Sequence, residues 1–432
     1  MTKQDIYNSR LGTLQDALDL IESNDCITFA IYGSEPVEFL DHLHTVADRV
    51  ENVEIWTSTM QRDYPFMLDN SMEGHINILS FFYERNARKL HKTKRTQYVP
   101  LHLHSLGTIP QYRHPSNVFV CTVTPMDENG CVHISMDLQG TLEWMEHAEK
   151  VIFEVNPAMP VVCGETAVPV EKATCIYEVS PRPLPLAPPT PNTPVEKKIA
   201  ENVASLIRDG DCIQMGVGGV PGAVGEALRG KRDLGVHTEM IPPAMGMLMR
   251  EGVITNERKN LDPGKTVGAF IWGDEALYGM LDRNPAFELR RCAYTNDPFV
   301  IAQNDNMVSI NTALQVDLTG QICSESIGAR QFSGTGGASD FAYGAWHSRG
   351  GKGIIAMAST TKNGTISKIR AVLDPGGVVS ISRNIANYIV TEYGIADLRG
   401  ATIRERVESL ISIAHPDFRE DLKKEADAYL LW

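Results

Sequence analysis

No run of about 18 consecutive apolar residues, the length a membrane-spanning helix needs, occurs in this chain. That absence argues against a transmembrane segment. The opening residues MTKQDIYNSRL carry no apolar core of a secretory signal. A basic excess is also missing: 40 Lys and Arg stand against 54 Asp and Glu, a formal charge of −14. Nucleic acid and anionic membranes both call for broad basic surfaces, so neither is an expected partner, whereas a phosphorylated ligand needs only a local site. No two of the eight cysteines (Cys26, Cys121, Cys131, Cys163, Cys175, Cys212, Cys292 and Cys323) form a CxxC pair, and several sit inside apolar runs. They read as reduced, buried thiols of a cytoplasmic protein rather than a disulfide or zinc framework, and no metal is expected.

What is present is ordinary for a soluble globular protein: 43% hydrophobic and 22% charged residues. A chain of 432 residues exceeds one ordinary core, so two or more domains are expected. The clearest boundary is SPRPLPLAPPTPNTP, residues 180–194, with seven prolines. Such a segment suits neither helix nor central strand and reads as an extended connector. It ends in Thr193-Pro194-Val195-Glu196, a capping box that opens the helix VEKKIAENVASLI.

The two sides of the connector echo each other. Residues 20–27 read LIESNDCI and residues 206–213 read LIRDGDCI. Both continue as strand, loop and helix: ITFAIY, GSEP and VEFLDHL in the first; IQMGV, GGVP and GAVGEAL in the second. Elsewhere NVEIWT, VFVCTVT, KVIFEV, TVGAFIW, MVSINTALQVDL, GIIAMAST and VVSISR read as strands, alternating with amphipathic stretches such as TLEWMEHA. The expected fold is α/β: two similar open domains with largely parallel sheets, related by internal duplication. The boundaries are 1–183, a connector at 184–194, and 195–432.

In open α/β sheets ligands gather beyond the carboxyl ends of strands. There the loop Gly216-Val217-Gly218-Gly219-Val220-Pro221 follows the strand CIQM and opens a helix. About twenty residues on, the run LGVHTEM ends in Glu239. One reading is nucleotide binding, with the acid gripping a ribose, but Pro221 stands where a third glycine belongs. A second makes Glu239 a nucleophile toward a thioester, with backbone N–H groups of the glycine loop holding the oxyanion. A third leaves Glu239 to cap a turn or pair with a lysine. Spacing alone does not choose among them.

Further motifs do. GVGGVP and VHTEM are followed in order by NDPFVIAQNDNMVSINTALQVDLTGQICSESIG, FSGTGGASDF, VTEYGIADLRG and AHPDF. This ordered set resembles the acetyl-CoA hydrolase/transferase family, the branch of class I CoA-transferases that includes the 4-hydroxybutyrate and butyryl-CoA:acetate enzymes. The resemblance runs through most of residues 200–420, with YGSEP and YVPLHLH as weaker echoes in the first half. It implies that Glu239 is the nucleophile and that Gly216, Val217, Gly218, Gly219 and Val220 form a CoA and oxyanion loop. It further implies that Gly336, Gly337, Asp340 and Phe341 line the CoA channel, with Asn296 and Lys352 as CoA contacts. The chain departs from the family in Ala338, where glutamine is usual, and in IPPAM after Glu239, where many relatives have a Ser-Asp-Gly turn.

The implied activity is transfer of CoA between a short-chain acyl-CoA, of C4 type, and acetate or another carboxylate, by a ping-pong route through a glutamyl-CoA thioester. Coenzyme A is then a substrate, and a homo-oligomer, dimer or tetramer, is expected. Acyl-CoA hydrolysis on the same scaffold and non-catalytic acyl-CoA binding are the alternatives. Other candidates have blander readings beside them. Glu325 is a rival nucleophile or a turn-holding acid. His102 and His104 are two metal-like ligands without a third, or a satisfied pair. His237 orients Glu239 or packs. The run HKTKR, 91–95, is a solvated face or meets phosphate. His415 and Asp417 mark a helix terminus.

Overall fold

The computed structural model describes residues 1–432 apart from Glu84, Thr190 and Lys362, of which Thr190 belongs to the connector. The chain divides into two compact units, Met1–Ala187 with Val267–Thr295, and Pro188–Thr266 with Asn296–Trp432.

The first unit is built on seven strands: β1 (Cys26–Phe29), β2 (Val53–Thr57), β3 (Ile76–Ser80), β4 (Thr96–Tyr98), β5 (Val118–Val123), β6 (Lys150–Val155) and β7 (Cys175–Glu178). Their order in the sheet is β4-β3-β2-β1-β5-β6-β7, and every pairing is parallel. A parallel sheet is covered on both faces, which is why β5 reads VFVCTV with all six residues buried. Each such aliphatic side chain contributes about 1.5–3 kcal/mol by leaving water. Helix α1 (Val37–His42) follows β1 after the GSEP loop.

Six strands carry the second unit: β8 (Cys212–Met215), β9 (Gly235–Val236), β10 (Met307–Asn311), β11 (Lys352–Ala356), β12 (Tyr388–Thr391) and β13 (Gly394–Asp397). The order is β9-β8-β10-β11-β12-β13, parallel except for the last pair. Helix α2 (Pro194–Leu206) precedes β8 and begins as its capping box requires: Thr193 Oγ1 accepts the Glu196 N–H at 3.2 Å, and Glu196 Oε2 accepts the Thr193 N–H at 2.8 Å. Helix α3 (Gly219–Ala227) follows β8, α4 (Pro243–Arg250) follows β9, and α5 (Ala338–His347) precedes β11. The echoed strands β1 and β8 occupy equivalent places. Each lies between the strand that follows it and a later one, so the chain reverses its winding direction there. Their loops, GSEP and GVGGVP, therefore stand at the topological switch points where such sheets bind ligands.

Three expectations need correction. Val267–Thr295 groups with the first unit, whereas the sequence boundary assigned it to the second. The reason is local: Leu138 N–H donates to Ala269, Ile271 N–H to Met136, and Leu289 N–H to Cys163. MVSINTALQVDL breaks after Asn311, and Gln315–Asp317 pairs in a separate small sheet. VVSISR forms no strand; Val378 and Val379 are exposed beyond Pro375-Gly376-Gly377, and only Ile381 makes a bridge. Among the described residues no helix is long and apolar enough to cross a membrane, and all eight cysteines are free thiols.

Candidate active site

Strands β8 and β9 run parallel with Ile213 opposite Val236. Three residues beyond that pair, at the same carboxyl edge, stand Gly216 on one chain segment and Glu239 on the other. His237 is fully buried, its ring centroid 6.3 Å from that of Phe341, and Thr238 Oγ1 donates to the Met240 carbonyl at 2.9 Å. The strand thus inserts its polar residues into the unit and delivers Glu239 at the end.

Glu239 meets two donors. Asn296 Nδ2 donates to Oε2 at 3.0 Å, and the Gly337 backbone N–H donates as well. Asn296 and Asp340 are buried, at 0% and 1% exposure. Burial pushes the Glu239 carboxyl up to about 7, and the nearby Asp340 adds to the rise; the Asn296 and Gly337 hydrogen bonds oppose it. Gly336 sits at φ +53°, and a β-carbon on Gly337 would lie 1.8 Å from Glu239 Oε2 and 2.4 Å from Asn296 Nδ2. The double glycine is therefore required for the acid to occupy its place. The structure brings Glu239, Asn296, Gly336, Gly337 and Asp340 together. A carboxyl desolvated in this way and half-ionised near neutrality is a stronger nucleophile than a solvated one.

The glycine loop stands at the switch point of the same sheet. Gly216, Val217, Gly218, Gly219 and Val220 are all half-buried, and Gly218 adopts φ +124° at the N-cap of α3. The Glu196 carboxylate lies so close to Gly219 that a β-carbon there would be 1.8 Å from its Oε1. That contact joins the capping box to the loop, a link the sequence reading missed.

Of two further expected site residues, one lies at the opposite edge and the other is buried beneath the site's helix. Lys352 opens β11 at the amino edge of the sheet, where its amine pairs with Asp211 at 3.0 Å, both side chains largely buried. Because the strands are parallel, that edge is the one opposite Glu239. Phe341 is fully buried among Cys212, Ile301, Met307 and Ala345, so it is core rather than channel lining. Ala338 packs on an apolar cluster that includes Ala342 and Ile355. IPPAM becomes the start of α4, with Pro242 at its N-cap and Pro243 at its first position.

The remaining candidates resolve to structural parts. Glu325 is buried and accepts from Thr335 Oγ1 at 3.1 Å and Ser380 Oγ at 2.8 Å, holding a turn. His102 and His104 stack at 5.5 Å, and no metal-binding cluster of three or more His, Cys, Asp or Glu occurs among the described residues. Arg95 of HKTKR is not solvated: it is buried and donates to the carbonyls of Phe66, Met67 and Asp69. His415 caps the helix Pro416–Ala428, its Nδ1 accepting from the Asp417 N–H. In the first unit the GSEP loop borders a cavity of about 60 Å³ lined by Tyr32, Glu35, Gln61, Asn156 and Arg182. Arg182 there pairs with the buried Glu154 at 2.6 Å, a junction of distant residues that no local pattern signals.

Comparison with known proteins agrees with this architecture. The model of the acetyl-CoA hydrolase/transferase N-terminal domain matches residues 1–188, and that of the C-terminal domain matches residues 273–426. The 4-hydroxybutyrate coenzyme A transferase of Clostridium kluyveri is 40% identical, over 98% of this chain and 99% of its own length. The succinyl-CoA:cyclohexane-1-carboxylate CoA transferase of Geobacter metallireducens is 39% identical, over 97% and 95% respectively. Among solved structures, RipA from Yersinia pestis superposes with a TM-score of 0.93 at 34% identity, covering 100% of both chains. The chain belongs to the acetyl-CoA hydrolase/transferase family and is an enzyme of the CoA-transferase type.

Proposed function

We propose that this enzyme moves CoA between a short-chain acyl-CoA, of C4 type such as butyryl- or 4-hydroxybutyryl-CoA, and acetate or another carboxylate, with Glu239 as nucleophile. The observation that carries the reading is the setting of Glu239: a half-buried carboxyl whose Oε2 accepts from Asn296 at 3.0 Å, beside a glycine pair that leaves no room for a side chain.

The steps follow from that setting. The Glu239 carboxylate attacks the acyl-CoA carbonyl, the C–S bond breaks, and an acyl-glutamyl anhydride and CoA thiolate result. The thiolate then attacks the glutamyl carbonyl, releasing the donor acid and leaving a glutamyl-CoA thioester. An acceptor carboxylate attacks that thioester, forming a new anhydride and freeing the thiolate once more. Attack of the thiolate on the acyl carbonyl yields the new acyl-CoA and restores Glu239. Backbone N–H groups of the Gly216–Val220 loop are assigned to the oxyanions that form in these steps. Asn296 keeps the free carboxylate ionised and aimed. CoA's remote contacts supply binding energy that is realised at the reacting centre. On the same reading the enzyme works in the cytoplasm as a homo-oligomer.

Intact-mass measurement after incubation with butyryl-CoA tests it. The expected result is a gain corresponding to thioester-bound CoA, localised to the peptide with Glu239, lost on hydroxylamine treatment and absent in Glu239→Ala. Exchange of label between acyl-CoA and free acid that survives Glu239→Ala would overturn the assignment. Steady release of free acid without transfer to added acetate would favour the hydrolase.

A further inference from the structure

Glu239 ends a segment that is barely a strand. β9 is two residues long and lies at the edge of its sheet. On the inner side the Gly235 N–H donates to Asp211 at 3.0 Å and the His237 N–H to Ile213 at 3.3 Å. The backbone groups of Val236 alternate outward, where an edge strand has no neighbouring strand and buried N–H and C=O groups need partners from elsewhere.

The loop 252–266 supplies them. Pairing starts through backbone: the Leu234 N–H donates to Val253 at 2.9 Å, and the Leu234 carbonyl accepts from Thr255 and Asn256 at 3.2 and 3.1 Å. Asn256 then turns the chain away at φ +59°, a left-handed conformation that asparagine tolerates. From that point side chains replace the missing strand. Asn256 Oδ1 accepts the Val236 N–H at 2.8 Å, and Lys259 Nζ donates to the Val236 carbonyl at 2.8 Å. Both residues are buried, at 2% and 7% exposure. Each is anchored in turn, Asn256 Nδ2 on Thr266 Oγ1 at 2.9 Å and Lys259 Nζ on the Lys265 carbonyl at 2.8 Å. A β-carbon on Gly235 would stand 2.4 Å from Lys259 Cγ, so that glycine is what admits the lysine stem.

We propose that Asn256 and Lys259 are positioning residues: they clamp both backbone groups of Val236 and so fix the Glu239 carboxylate against Asn296 and Gly337. A nucleophile misplaced by about 1 Å loses roughly 100-fold in rate. The proposal rests on the reading of Glu239 as the nucleophile.

The test measures the single-turnover rate of CoA thioester formation, normalised to the fraction of chains that finally carry CoA. Lys259→Met and Asn256→Leu are expected to slow it roughly 10- to 100-fold with KM for the acyl-CoA changed less than about threefold. Asn256→Asp keeps the acceptor for Val236 and is expected to retain the rate within about fivefold of wild type, as is Thr266→Val, which removes the anchor of Asn256 and a contact with Met249 but neither bond to Val236. A merely structural role would lower the labelled fraction and leave the normalised rate unchanged in all four, and that result overturns the inference. Should Lys259→Met fail to fold, the contrast between Asn256→Leu and Asn256→Asp decides alone: equal rates reject the clamp. If the wild-type enzyme forms no adduct on Glu239, the underlying reading fails instead, which keeps the two outcomes apart.

Discussion

A β-carbon on Gly337 would stand 1.8 Å from Oε2 of Glu239. Any side chain at 337 must therefore displace either the acid or the Asn296 amide beside it, whose Nδ2 would lie 2.4 Å away. Gly337→Ala is expected to lower kcat for CoA transfer by roughly 100-fold, the effect of misplacing a nucleophile by about an ångström. Gly230→Ala serves as the control, since a β-carbon there meets nothing within 4 Å. Gly337→Ala activity within threefold of wild type would contradict the described geometry.

The Glu239 carboxyl at about 7 has a consequence for rate. Only the ionised form attacks, so thioester formation is expected to fall about tenfold per pH unit below 7 and to level off above it. Asn296→Ala removes a hydrogen bond that favours the ionised form. The midpoint should then move upward by about one unit, the size a lost charge-assisted bond predicts. A midpoint that stays put, or moves down, would show that Asn296 does not hold the carboxylate.

The same shift acts on stability with a definite sign. The folded carboxyl binds its proton more tightly than the usual value of 4.5 allows. Folding is thus favoured below that value, and the advantage is lost as pH rises through about 7. Glu239→Gln keeps the hydrogen-bond acceptor without the charge. It should be inactive and yet more stable than wild type at pH 8, by on the order of 2 kcal/mol, with the difference shrinking toward pH 5. Urea midpoints at the two pH values measure this. Equal stability at both would mean that the acid pays no desolvation penalty.

Local grammar made much of this legible. Asp-Cys-Ile in both halves, followed by strand, loop and helix, announced two related α/β units, and apolar runs such as VFVCTV announced parallel strands buried on both faces. Spacing from the switch-point loop singles out Glu239 but leaves its role open among three readings, and only the resemblance of the ordered motifs points to a nucleophile. What stayed hidden depends on residues that only the fold brings together. Asn256 and Lys259 are some twenty residues from the strand they clamp, and nothing in TNERK marks them as a substitute strand. Phe341 sits beside a buried Asp340 in one helical turn, and sequence alone does not tell which faces the core. The excursion Val267–Thr295 joined the first unit through hydrogen bonds to Met136, Leu138 and Cys163, which no linker signal foretold.

Lys352 offers the sharpest separation between motif and structure. A CoA contact would place its amine in solvent near the carboxyl edge, whereas the amine is 3.0 Å from Asp211 at the amino edge, with side-chain exposures of 14% and 4%. Removing one partner of a buried pair leaves the other charge uncompensated, a loss of about 3–5 kcal/mol. Lys352→Met is accordingly expected to lower the thermal midpoint clearly while KM for the acyl-CoA, measured on the folded enzyme, stays within twofold. The double change Lys352→Met with Asp211→Asn should recover part of that loss, because the orphaned carboxylate is gone. A tenfold rise in KM with an unchanged midpoint would instead restore Lys352 to the CoA site and reject the buried pair as its role.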